Sequence, residues 1–530
     1  MIIDNLKRNK PLLGLIAVII LALLVLYVLF GSSNNGGKVN TPVSSGVKAN
    51  NTEAAVEALS NLSGNERHVS KNPMSIRVLS AGVNHTCAID FGRKVYCWGG
   101  ANKGSLGDDG KMRKCEVEDG ESGLRCEYRN PNLETTHYSF TPVSVFKGEA
   151  PSEGEYLSDA QLLAVGDLFA CAAIGEEKAV YCWGRGSSGQ LGNGKRADQD
   201  RPVAVCGEGY TTDCKNHVLK GVTALSAGAE HVCAIVGDKA TAYCWGNGSN
   251  GRLGNGKTEY QLTPVAVCKN SKTEDCDADP MTDVKTIVAG TYLSCAAVGD
   301  NRQGFCWGDG SSHQLGNNNQ DNNQNKPSPV CASGASDCTV SPFLQVHKFS
   351  IGQSHTCAIA GDDRVAYCWG QARYGQLGNN NNIDNQKTPS AVCIPGTTDS
   401  EEDWKCSEDP KKILTKVQDI STGFVHTCAT VNSERRAYCW GEYFFGRLGD
   451  NGTHNVAVPV PVYNGYDKDG YTIDDEESVW LKSVESLTLG SNYSCSVLQD
   501  STAKCWGNNQ LGQLGDKERI NMLIPSVVGF

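Results

Sequence analysis

The tripeptide Cys-Trp-Gly recurs seven times in this chain, at Trp98, Trp183, Trp245, Trp307, Trp369, Trp440 and Trp506, and each copy carries the same surroundings. The clearest copy runs Leu225-Ser-Ala-Gly228, His231-Val-Cys233-Ala-Ile, Gly237-Asp238, Ala242-Tyr-Cys244-Trp245-Gly246, Gly251-Arg-Leu253-Gly254-Asn255 and Pro264-Val-Ala-Val267. The first cysteines of the copies are Cys87, Cys171, Cys233, Cys295, Cys357, Cys428 and Cys495, and the three intervals from Cys171 to Cys357 are identical. Such regularity marks one architecture built from repeats rather than a string of independent domains.

Each copy has room for four short strands: the Leu-Ser-Ala-Gly, Cys-Ala-Ile, Tyr-Cys-Trp and Pro-Val-x-Val runs, separated by Gly- and Asp-rich turns. The 59 glycines of 530 residues exceed the usual ~7% without a collagen period, which fits a turn-dense β protein. The expected fold is all-β, a seven-bladed β-propeller with four-stranded blades over residues 73–530. The first copy begins at Val78-Leu79-Ser80 with no preceding Pro-Val run, whereas the chain ends in Pro525-Ser-Val-Val528. The C-terminal strand is therefore expected to complete the blade containing Cys87.

The repeats resemble those of the regulator of chromosome condensation family. The residues that carry the likeness are the Ala-Gly-x-x-His-x-Cys-Ala turns (Ala81 to Ala88, Ala227 to Ala234), the Trp-Gly pairs and the Gly-Gln-Leu-Gly turns at Gly189 to Gly192, Gly375 to Gly378 and Gly512 to Gly515. The resemblance implies a seven-bladed propeller and fixes no activity, since one fold hosts many functions.

The 24 cysteines sort into pairs without remainder. Seven pairs flank a Gly-Asp-like turn inside the repeats: Cys87/Cys97, Cys171/Cys182, Cys233/Cys244, Cys295/Cys306, Cys357/Cys368, Cys428/Cys439 and Cys495/Cys505. In a hairpin these positions face each other, at a separation that suits a disulfide. Five more pairs lie in insertions: Cys115/Cys126, Cys206/Cys214, Cys268/Cys276, Cys331/Cys338 and Cys393/Cys406. No C-x-x-C spacing occurs, so disulfides in an oxidising compartment are expected rather than zinc.

The N-terminus points to the same compartment. Pro11–Phe30 is apolar throughout, long enough as a helix to span the ~30 Å hydrocarbon core of a bilayer. Lys7, Arg8 and Lys10 precede it and no charge lies in Gly31–Gly37, which orients residues 1–10 to the cytoplasm. Residues 11–30 read as a transmembrane helix, an anchor rather than a cleaved signal, and 31–72 as a flexible linker with one short helix at Thr52–Leu62. The propeller is expected outside the cell, tethered to its membrane. A net charge of −11 argues against nucleic acid as a partner.

Chemistry-bearing residues are mostly absorbed by the repeat. His85, His231, His355 and His426 share one position, which Phe169, Leu293 and Tyr493 fill elsewhere, so they read as structural. The Trp-Gly tryptophans read as blade packing. Asp467-Lys-Asp469-Gly470 with Glu476 has calcium-loop spacing, but Gly465 stands at the first ligand position. Glycosylation triplets start at Asn50, Asn61, Asn84, Asn247, Asn451 and Asn492. No nucleophile elbow, phosphate loop or metalloprotease helix appears, so no catalytic residue, cofactor or metal is expected.

Trp404, Tyr443, Phe444 and Phe445 break the repeat as large apolar groups in polar surroundings, as anchors of a binding surface do. Four of the stapled insertions follow the Pro-Val strand and are expected on one face; Cys115/Cys126 is expected on the other. The reading is an extracellular recognition module binding a protein or cell-surface partner through these loops. The alternative is a propeller enzyme or glycan-binding protein with a site at the channel mouth.

Overall fold

The computed structural model describes residues 73–108, 113–117, 124–128, 138–148, 155–319, 323–395, 409–465 and 479–529. The apolar segment 11–30, the linker 31–72, Trp404, Cys406 and the Asp467 loop lie outside them. Among the described residues no helix is long and apolar enough to cross a membrane.

Each repeat folds into one antiparallel four-stranded sheet, giving seven blades in a ring. In blade 3 the strands are Val222–Ala227, His231–Val236, Thr241–Gly246 and Gln261–Ala266, in that order from the axis outward. First strands of neighbouring blades touch one another around the ring, which makes them the innermost. The second strand is buried on both faces because each face meets a different neighbour. Val232 and Ala234 pack toward blade 2, whereas Cys233 and Ile235 pack toward blade 4. The period-two alternation of a strand thus divides one short run between two seams.

The cysteine pairs within repeats sit in direct register on the second and third strands. From blade 1 to blade 7, Cys87 is bonded to Cys97, Cys171 to Cys182, Cys233 to Cys244 and Cys295 to Cys306. Cys357 is likewise bonded to Cys368, Cys428 to Cys439 and Cys495 to Cys505. Their Cα atoms lie 4.0–4.1 Å apart in every blade, so each bond staples a central hairpin. In the insertions Cys206–Cys214, Cys268–Cys276 and Cys331–Cys338 are bonded, and Cys393 is disulfide-bonded. Cys115 faces Cys126 in a two-stranded hairpin, Arg113–Val117 against Leu124–Tyr128. Among the described residues no cysteine is free.

Every seam is closed by the same bond. The indole N–H of each Trp-Gly tryptophan donates to a turn carbonyl of the preceding blade: Trp183 to Ser105, Trp245 to Gln190, Trp307 to Arg252, Trp369 to Gln314, Trp440 to Gln376 and Trp506 to Arg447, at 2.9–3.2 Å. Two residues after that carbonyl the chain carries a glycine. At Gly254 a Cβ would stand 2.7 Å from Trp307 Nε1, so the close approach requires glycine there.

Ring closure differs from the expectation. The terminal strand Met522–Val527 pairs with Ala503–Gly507 and so completes blade 7, while blade 1 takes its fourth strand, Tyr138–Ser144, from its own repeat. One repeat makes one blade without exchange. The last seam closes as the others do, with Trp98 Nε1 donating to Gln513 O at 3.0 Å. Bridges of Pro73 with Gly529 and Ser75 with Thr502 fasten the start of the propeller to its end.

Candidate functional site

The repeat histidines belong to the seams. His231 Nε2 lies 2.8 Å from Ser294 Oγ of the next blade, and that hydroxyl donates to Arg252 O at 2.9 Å. A serine has one proton to give, so the imidazole must be the donor, neutral and protonated on Nε2. His355 with Thr427 and His426 with Ser494 repeat the arrangement. Burial lowers the pKa of all these rings, to about 3 for His355. In blade 7 the phenol of Tyr493 takes over, 2.9 Å from Thr86 Oγ1 and donating to His85 O at 2.8 Å. In the seam of His85, Ala170 occupies the position of Ser294, so the ring has no side-chain hydrogen-bond partner; burial takes the pKa of His85 to about 4, with the Phe169 backbone acting against it. These groups are fully buried and join blades. Among the described residues no group of three or more His, Cys, Asp or Glu gathers as a metal site.

Antiparallel order puts the Ala-Gly turns and the connectors after Trp-Gly on one rim, and the Gly-Asp turns and blade-to-blade connectors on the other. On the first rim Tyr443, Phe444 and Phe445 form a ledge. Phe444 is 53% exposed and stacks on Tyr443 at 4.9 Å, while Phe445 lies against the guanidinium of Arg447. The equivalents of Phe444 and Phe445 are polar in blades 1 to 4: Asn102 and Lys103, Ser187 and Ser188, Ser249 and Asn250, Ser311 and Ser312. The turn therefore forms without aromatics.

Its backbone has two settings, and one residue selects between them. Where glutamine stands two positions after the second turn residue, its side-chain oxygen accepts from that residue's N–H, as Gln190 does from Ser188, Gln314 from Ser312, Gln376 from Tyr374 and Gln513 from Leu511. Where Ser105, Arg252 or Arg447 stands instead, the second residue turns left-handed, with φ 64° at Lys103, 61° at Asn250 and 64° at Phe445. A bulky aromatic is disfavoured in that region. Arg447, buried, fixes the setting in blade 6 by donating from Nε to Phe444 O at 2.9 Å and pairing with Glu442 at 2.7 Å. Ile520 and Leu523 of blade 7 are also exposed large apolar residues, and Leu523 abuts Gly446.

The ledge does not gather all four expected residues. Trp404 lies outside the described residues, in a connector whose described flanks, Cys393 and Ile413, bridge each other at the opposite rim. The stapled insertions start on that rim, where Asp283 N meets Lys239 O at 2.9 Å. Their tips lean outward against the next blade: Lys326 Nζ donates to Thr273 O at 2.6 Å and Gly334 N to Thr388 Oγ1 at 3.2 Å. They act as braces along the outermost strands.

Sequence reasoning missed one feature. On the axis, level with the Ala-Gly turns, lies a cavity of about 90 Å³ whose lining includes Asp167, Thr291 and Phe424. The hint was the residue after the glycine that follows each first strand, where Asp167 is the only charged one among the seven copies.

Comparison with known proteins agrees with this architecture. The Regulator of chromosome condensation (RCC1) repeat matches residues 178–235, 240–297, 304–359 and 365–430, and a second description of the same repeat matches 76–105 and 346–376. The ultraviolet-B receptor UVR8 of Arabidopsis thaliana is 24% identical over 87% of this chain and 83% of its own length. The E3 ubiquitin-protein ligase HERC2 of Homo sapiens is 27% identical over 54% of this chain, which spans only 5% of that protein. Among solved structures, human WBSCR16 superposes with a TM-score of 0.58 at 17% identity, covering 82% of this chain and 95% of that one. Yeast RCC1 (Prp20), solved with Kap60 bound, gives 0.55 at 16%, covering 94% and 91%. With these matches over about half of its length and one repeat in each of seven blades, the chain belongs to the RCC1 repeat family.

Proposed function

We propose that this chain is a membrane-tethered, extracellular recognition module that binds a protein partner through loops on a propeller face. The observation that carries the reading is the ledge at Tyr443–Phe445. Three consecutive aromatics occupy a turn in which blades 1 to 4 place polar residues at the positions of Phe444 and Phe445, and Phe445 is held in a disfavoured backbone conformation by a buried arginine. Strain kept beside an exposed ring is a mark of function, and rigid aromatics are efficient anchors. The disulfide-stapled, indole-sealed ring beneath them lowers the ordering cost of binding. A yeast RCC1 solved with Kap60 bound agrees with a protein-binding role.

The outward location rests on the stapled cysteines, which suit an oxidising compartment, and on the apolar segment Pro11–Phe30 with its preceding Lys7, Arg8 and Lys10. Two measurements test the reading. A membrane-impermeant amine reagent should label propeller lysines in intact cells; labelling only after permeabilisation contradicts the location. Full-length protein should retain a partner that the Phe444→Ser variant loses. Retention of glycans alone, stacking on Tyr443 and Phe444, would move the assignment to a lectin.

A further inference from the structure

The axial cavity has a wall made by the repeat and one side chain that the repeat does not explain. Its wall is aliphatic, with Val165, Ile351 and Leu489 beside the small Ala81, Ala227 and Ala289 from the ends of the innermost strands. Glycines form the collar, because the blades crowd there: a Cβ on Gly166 would stand 2.4 Å from Gly228 O. Asp167 is the one ionisable residue in the lining. It is half-buried, as are Thr291 and Phe424, so the mouth opens to solvent.

A carboxylate beside an aliphatic wall is costly unless a cation meets it. The guanidinium that acts on it, Arg185, is engaged with Glu230 at 2.8 Å, and Asp167 itself has no ion pair within 4 Å among the described residues. Burial raises the Asp167 carboxyl above its ordinary range, Arg185 draws it part of the way back, and Glu230 adds to the rise. Phe424 belongs to blade 6 and Asp167 to blade 2, three seams apart in one direction and four in the other, so the aromatic residue and the acidic one stand on opposite sides of the mouth. A cation between them would meet a negative charge on one side and a π system on the other.

We propose that this mouth is a socket for the ammonium of a lysine side chain of the protein partner, held at the level of the mouth between Asp167 and Phe424. The inference rests on the recognition reading above and deepens it. Donor geometry favours lysine over arginine. A lone carboxylate suits a compact ammonium, whereas a planar guanidinium seeks paired acceptors.

The test uses the full-length protein with three small probes: Nα-acetyl-lysine N-methylamide, its norleucine counterpart and its arginine counterpart, titrated by saturation-transfer NMR. Saturable binding of the lysine probe is expected, with no binding of norleucine, weaker binding of arginine, and a loss of about tenfold or more in Asp167→Asn. Asp167→Asn keeps the size of the side chain, and an unchanged melting temperature will show that it folds. Equal binding of norleucine, tighter binding of arginine, no saturation, or an unaffected Asp167→Asn variant would overturn the socket. A partner still retained by a protein that ignores the lysine probe would refute the socket and leave the recognition module standing. Lysine binding with no partner retained would do the reverse.

Discussion

The seam between blades 1 and 2 and the seam between blades 3 and 4 share a backbone and an indole bond but differ in what surrounds it. In the second, His231, Ser294 and the Arg252 carbonyl form a chain of hydrogen bonds. In the first, Ala170 stands where Ser294 does, and His85 has no side-chain hydrogen-bond partner. The ring closes all the same. The indole bond and the small-residue packing are therefore what the seam requires, and the histidine chain is a local addition that the fold tolerates losing.

That ranking sets the order of the expected effects, the largest first. Trp307→Ala should cost about 3 to 5 kcal/mol by cavity formation and loss of the indole bond, read from denaturant unfolding. Trp183→Ala should cost about as much, since its seam has the same seal; a much smaller loss there would place the strength of the seam elsewhere. Removing one hairpin staple, Cys233→Ala with Cys244→Ala, should cost about 2 to 4 kcal/mol.

The two seams part most clearly at their histidines. His231→Phe leaves Ser294 without its donor and should cost about 1 to 3 kcal/mol, whereas His85→Phe, the choice blade 2 makes at Phe169, removes a polar ring with no side-chain partner and should be neutral or stabilising. Acid unfolding checks the same point from the other side. Burial holds His85 near 4 and His355 near 3, below the ordinary 6.5, so the unfolded chain binds protons that the folded one refuses. The stability that neutral burial leaves intact above pH 6.5 should drain away as pH falls toward 4 and 3. His85→Phe should flatten the upper part of that decline. The smallest effect concerns the ledge. Arg447→Gln together with Glu442→Gln, which leaves no carboxylate stranded and reproduces the Gln371 and Gln376 pair of blade 5, supplies the capping oxygen seen in four other blades and should return Phe445 to negative φ with little loss of stability, while weakening partner binding.

Much of this was legible in the sequence because it is local and repeated. The Tyr-Cys-Trp-Gly and Cys-Ala runs report their strands by composition, the turns by their glycines, and seven copies report the number of blades. The cysteine pairing followed from hairpin register. The phase of the repeat was not legible, since a Pro-Val strand pairs equally well in sequence terms with the copy before it or after it; only the register of Met522–Val527 on Ala503–Gly507 decides. Asp167 was invisible for a different reason. Its meaning comes from seven turns converging on one axis, which no single repeat records. Tyr443–Phe445 stood out because they break a pattern that the other copies define, but the reason for their backbone setting, Arg447 in place of glutamine, needed the structure.

The central claim is that the ledge, and not exposed apolar surface in general, meets a partner. Phe444 and Phe91 are both exposed, at 53% and 62%, and lie on opposite rims. A photo-crosslinking residue placed at each position in the full-length protein, on intact cells, tests it directly. The account predicts one discrete protein adduct from position 444 and none from position 91. The same adducts from both positions, or an adduct from 91 alone, would contradict it.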